Sequence, residues 1–269
     1  MTNAKERART ALGNAFAGKK DEKGYVDRIE ENLLDGVRLD QFEADLKQGD
    51  GNELTTKFRA VHSSSALAVN CFAPYKDKPA ALNLLGLSGA KRIQFEKKLP
   101  IIKDRKSQPN LDVWIDYGSK FTAVESKLLE YFSPTKPEFA DAYKSLDFAP
   151  EHCWWSVCEE VWDSEKQFLD VAQLVKHYFG LRRFQLDPMH QGNPPDLLLL
   201  YLFWEPSNWR DIEECVQHRG EVEKLAAQVV DSSIGFKWMS YPALWQEWSE
   251  NPNLARHAAR LRQRYVTSI

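Results

Sequence analysis

The sequence predicts a domain of the α/β or α+β class, on three observations. From about residue 90 the apolar pattern alternates with period two, as in strands. The run "DLLLLYLFW" at 196–204 is apolar on both faces, as a covered central strand must be. Flanking stretches carry helical stripes and caps instead, so strands and helices are mixed along the chain.

The elements follow in order. Charged amphipathic stretches at 3–17, 24–36 and 39–48 read as helices, and "GDGNE" breaks them. "HSSSALAVNCFAPY" places serine N-caps ahead of an apolar run that Pro74 brings towards a close. His62, at this helix entry, is read as structural. "RIQFEKKL" sets Ile93, Phe95 and Lys97 against Gln94, Glu96 and Lys98, with Pro100 interrupting. A hairpin spans 111–127. Residues 165–179 place Phe168, Val171, Ala172, Val175, Tyr178 and Phe179 on one stripe, which predicts a helix packed on a neighbour. After the buried strand come a helix at 211–230, a strand at 236–241 and a closing helix at 251–265. The expected organisation is a helical region at 1–88, a core at 89–205 and a C-terminal extension at 206–269, packed as one unit.

Composition narrows the function. With 269 residues and a formal net charge of −3, the chain can bury a large core but has no global field for a polyanion, so a nucleic-acid site must be local. Four scattered cysteines predict buried thiols, including Cys153 and Cys158 of "HCWWSVC", rather than disulfides or a metal cage. The N-terminus lacks a signal-peptide core, and the longest apolar run is far below the ~20 residues that span a bilayer. A reduced, cytoplasmic protein is expected. Most of the nine tryptophans are read as core packing rather than as a carbohydrate platform.

The hairpin carries the chemistry. In "LDVWIDYGSKFTAVESKL" a two-residue loop would pair Asp112 with Ala123, and a four-residue loop at 117–120 would pair it with Glu125. Either register leaves Asp112, Glu125 and Lys127 on one face, because strand side chains alternate. Two carboxylates ~4 Å apart repel by roughly 4 kcal/mol at an effective dielectric near 20. A divalent cation resolves that conflict, since Mg²⁺ commonly takes one or two carboxylates and keeps its remaining waters. A solvated polar face with a salt bridge is the plain alternative.

"PNLDVWID" followed by "AVESKL" resembles the PD-(D/E)xK nuclease signature, with Pro109 three residues ahead of the aspartate instead of adjacent. The longer pattern "FEKKLP…PNLDVWID…VESKLLEY", with "HSSSALAVN" upstream, is similar to bacterial restriction-endonuclease-like proteins of that superfamily. The resemblance covers roughly residues 60–205. It implies a restriction-endonuclease-like core, a central mixed sheet flanked by helices, and a metal-dependent nuclease acting on DNA phosphodiesters in restriction or defence. Asp112 and Glu125 would be metal ligands, Glu96 an upstream acid near the metal, and Lys127 the group that orients or activates water. The cofactor would be Mg²⁺ or Mn²⁺. Gln173 corresponds to a glutamine of the next helix, although periodicity sets it nearly opposite the Phe168/Val175/Phe179 stripe.

DNA is the implied partner, with RNA an open alternative, a homodimer compatible and no membrane. Residues 91–106 hold seven basic and two acidic side chains, and Lys97, Lys98, Lys103, Arg105 and Lys106 are candidates for phosphate contact. Arg256, Arg260 and Arg264 form an i, i+4, i+8 series read as a solvated face. A competing reading keeps the nuclease fold as a catalytically weak module that binds nucleic acid or a protein.

Overall fold

The computed structural model describes residues 3–48, 57–102, 108–190 and 192–269. Its centre is a five-stranded mixed sheet in sequential order: β1 (Arg92–Lys98), β2 (Asn110–Asp116), β3 (Lys120–Lys127), β4 (Asp196–Phe203) and β5 (Gly235–Ser240). The first three strands are antiparallel, and β3, β4 and β5 run parallel. The fold is α+β, with helices on both faces of the sheet.

One face carries α4 (His152–Val161), α5 (Val171–Gln185) and α6 (Glu213–Gln228). Phe184 of α5 meets Trp114 and Phe121 edge-on, and His218 of α6 meets Tyr201. The other face carries α3 (Ser64–Phe72), α7 (Tyr241–Ser249) and α8 (Ala255–Tyr265), with Tyr241 bonded to Ser126. Because β4 is covered on both faces and paired on both edges, nearly every side chain from Leu197 to Phe203 is buried, which accounts for its unbroken apolar run. The strand at 236–241 is the fifth strand of this same sheet.

The β2–β3 turn follows the four-residue alternative. Asp116 pairs with Phe121, Gly118 takes φ 103°, and its N–H donates to Asp116 Oδ1 at 2.6 Å. Helix starts follow capping chemistry: Ser63 accepts from Ala66 N and Asp170 accepts from Gln173 N. The helix predicted over 165–179 therefore begins only at Val171, and Phe168 precedes it.

The N-terminal region departs from the three-helix expectation. α1 (Ala4–Ala15) forms, but 24–36 holds only a 3₁₀ turn at Ile29–Asn32, and 39–48 a 3₁₀ turn followed by α2 (Glu43–Leu46). Tertiary bonds displaced the helix there. Buried Asn32 donates to Phe58 O and Ala60 O, and Gly24 and Gly36 adopt positive φ. The closing arginines are not one solvated face either. Arg264 is 6 % exposed and donates to Leu12 O and Val61 O, tying α8 to α1, while Arg260 pairs with Asp35. Buried side chains from Ala4 to Tyr265 form one cluster that includes Trp154, Trp204 and Trp245. Cys158 is buried and Cys153 partly so, and the four cysteines are unpaired. Among the described residues no helix is long and apolar enough to cross a membrane.

Candidate active site

The four charged residues picked from the strands share one cavity of about 540 Å³: Glu96, Asp112, Glu125 and Lys127. Strand register brings them together. Val113 pairs with Val124, so Asp112 stands across from Glu125 on β3. Phe95 pairs with Val113 and Lys97 with Leu111, so Glu96 stands across from Asp112 on β1. Glu96 itself takes φ 52°, a left-handed conformation that costs a non-glycine residue about 1–3 kcal/mol, and its Oε2 accepts from Asn110 Nδ2 at 3.0 Å.

Each carboxylate is held differently. Asp112 is partly buried, and its Oδ2 accepts the Ser126 N–H at 2.6 Å. Burial first, then the negative charges of Glu125 and Glu96, raise its pKa well above the usual range. Glu125 is 1 % exposed. Burial on its own would raise it, but Lys127 and His177 outweigh that and hold it at about 2. Its Oε2 receives the Nε2 proton of His177 at 2.7 Å, the tautomer an ionised carboxylate requires. Its Oε1 is buried and forms an ion pair with Lys127 Nζ at 2.6 Å. Lys127 donates to Gln173 Oε1 at 2.7 Å. Burial opposes its charge, but Glu125, Glu130 and Asp112 prevail and raise its pKa.

α5 supplies the far wall. Gln173 and His177 are four residues apart and face the sheet, while Val175 and Phe179 are buried on the opposite side. The single-stripe expectation set Gln173 apart because it assumed one buried face. This helix is buried on two, and Gly180 permits that: a Cβ there would meet Leu99 Cβ at 3.0 Å and Leu99 O at 3.1 Å. His177 escaped the sequence reading, although its i, i+4 spacing from Gln173 was a usable signal. The rim residues Tyr25, Lys57 and Ser63 to Ser65 were not anticipated as cavity wall, and His62, read as structural, lines it too.

The basic candidates stand apart. Lys97 is partly buried and Lys98 exposed, and neither lines the cavity. Lys103, Arg105 and Lys106 lie outside the described residues.

The donors fit a hard divalent cation in kind, being the carboxylate oxygens of Asp112 and Glu125 gathered on one cavity. Among the described residues no group of three or more His, Cys, Asp or Glu side chains is gathered closely enough to form a metal cage. A site here would rest on Asp112 and Glu125, a number sufficient for Mg²⁺ with its waters. Glu96 stands beside that pair without completing a three-carboxylate set.

A five-stranded mixed sheet flanked by helices on both faces is an α+β fold consistent with a restriction-endonuclease-like core. A family profile described as restriction endonuclease associating with ARP matches residues 2–266, so the chain belongs to that family. No curated protein and no solved structure matches the chain.

Proposed function

We propose that this protein is a metal-dependent nuclease of the PD-(D/E)xK type that hydrolyses DNA phosphodiester bonds in restriction or defence. The observation that supports the reading is the convergence of Asp112, Glu125 and Lys127 on one cavity, with Glu96 across from Asp112. Asp112 and Glu125 would hold Mg²⁺ or Mn²⁺, which when bound supplies positive charge to a phosphodiester and to the water that attacks it.

The remaining work falls to the chain. Gln173 fixes the Lys127 ammonium at 2.7 Å, so the lysine can orient a water and stabilise charge growing on phosphate oxygens. His177 fixes one Glu125 oxygen, and the other pairs with Lys127. It acts as a positioning residue beneath the ligand. The serine-capped start of α3 closes the rim, where backbone N–H groups suit phosphate oxygens.

Incubation with supercoiled, linear, single-stranded and methylated DNA, and with RNA, in Mg²⁺, Mn²⁺ or EDTA tests the proposal. DNA cleavage in either metal, lost in EDTA and in Asp112→Asn, is expected. Binding without cleavage under every condition would instead favour the second reading, a catalytically weak module. The family's description, which names an association with ARP, is what keeps that reading in view.

A further inference from the structure

We propose that a second nucleic-acid subsite lies beside the active-site cavity, on the N-terminal region, where Lys20 and Lys23 hold phosphates and the Tyr25–His62 ring pair receives a base. This rests on the nuclease reading for its ligand and extends it to the path the strand follows.

Two cavities adjoin here. The active-site cavity and a second one of about 500 Å³ share Tyr25 and His62 as common wall. The two rings meet edge to face with centroids 6.3 Å apart, and both residues are partly exposed. A half-exposed ring at a junction between polar cavities has the form of a stacking platform, because every base has a π-face.

The second cavity is basic where it is free to be. Arg9 is neutralised by Glu6 within its own helix. Lys20 and Lys23 are exposed and make no ion pair among the described residues, with Glu22 the remaining acid on that wall. Unpaired lysines keep their charge available for counterion-releasing contacts with phosphate.

The loop is also held in shape. Asp21 Oδ1 accepts the N–H groups of Lys23 at 2.9 Å and Tyr25 at 2.8 Å. Tyr25 bridges to Ala60, and Gly24, at φ +84°, lets the backbone pass His62 so closely that a Cβ would sit 3.4 Å from its Nδ1. Lys23 and the ring are thereby presented by a fixed turn that Lys20 directly precedes, so little ordering entropy opposes binding there. Lys97 and Lys98, on β1, line neither cavity.

The test uses the full chain carrying Asp112→Asn, a labelled single strand and a labelled duplex, and EDTA to separate binding from cleavage. Lys20→Gln/Lys23→Gln should weaken association about tenfold and reduce the slope of log affinity against log salt by about 1–2. Tyr25→Leu should weaken the single strand more than the duplex, with Tyr25→Phe restoring it. In the chain that retains Asp112, the double lysine variant should raise KM for a cleaved substrate and leave kcat unchanged. Unchanged affinity, salt slope and KM in the lysine variant would overturn the subsite while a cleaving wild type upheld the nuclease. Lysine-dependent binding by a protein that cleaves nothing would do the reverse. A wild type that binds no nucleic acid would overturn both.

Discussion

Glu125 and Tyr201 are cross-strand partners on β3 and β4, equally buried and pointing to the same face of the sheet, yet their surroundings are opposite in kind. Glu125 is ionised, gripped by His177 and Lys127, at the floor of an open cavity. Tyr201 bonds to His218 Nε2 at 2.9 Å in a closed cluster, where Tyr131 stacks on the imidazole with centroids 4.1 Å apart. There burial first, then Arg219, pushes the His218 pKa down to about 3, and burial raises the tyrosine. One strand spacing separates charge that is retained from charge that is refused. The difference is the supply of opposite charge: β3 and α5 bring a lysine and a hydrogen-bonded imidazole to Glu125, while His218 meets the rings of Tyr131 and Phe203, the Tyr201 hydroxyl and the like charge of Arg219. A buried charge kept at such expense is where chemistry is to be sought.

The largest effects should come from breaking the charged side. Lys127→Ala should slow single-turnover cleavage by about 10²–10⁴-fold. It should leave metal affinity unchanged or higher, because a cation beside the proposed ligands Asp112 and Glu125 is removed. Asp112→Asn should lower metal affinity and cleavage together, and calorimetric metal titration beside rapid-quench kinetics separates the two. A Lys127→Ala protein that cleaves like wild type would reduce the lysine to a salt-bridge partner.

His177→Ala should destabilise the fold by about 1.5–3 kcal/mol in urea unfolding, since it strips a hydrogen bond from a buried carboxylate that keeps its Lys127 partner. His177→Gln, which can still donate, should recover part of that loss. If alanine and glutamine cost the same, the imidazole is packing and not a hydrogen-bond donor to Glu125.

The neutral side has its own pH signature. His218 titrates at about 3 in the folded protein against 6.5 unfolded, so in that window the unfolded chain binds the extra proton. Stability from this group is complete above 6.5 and falls as pH drops towards 3. Between pH ~6.5 and ~5 the loss should reach about 2 kcal/mol, and His218→Phe should flatten it. A slope that persists unchanged in His218→Phe would assign the acid sensitivity elsewhere.

The smallest effect sharpens the contrast most. Tyr201→Phe removes one neutral hydrogen bond and should cost about 1 kcal/mol. Cleavage should stay intact although the residue lies directly across from Glu125. A large activity loss would mean the two clusters are coupled through the strand pair.

Much of the site was legible because period two is a local rule. Asp112, Glu125 and Lys127 had to share a face whichever turn formed, and the four-residue loop then set Asp112 opposite Glu125. The central strand was legible for the same reason, since only a strand covered on both faces can be apolar throughout. What local rules could not reach was anything fixed by a distant partner. Residues 24–36 carry a helical pattern, but Asn32 and the bridge from Tyr25 to Ala60 hold them in another shape. Arg264 sits in an exposed-looking arginine series, yet two carbonyl groups more than 200 residues away take it into the core. Gln173 and His177 fall outside the apolar stripe, and only the docking of α5 between two packed surfaces shows that their side is buried too, against Lys127 and Glu125. Alternation along a strand is set by backbone geometry and can be read residue by residue. Which polar groups meet across the fold depends on how whole elements pack, and no short stretch of sequence contains that information.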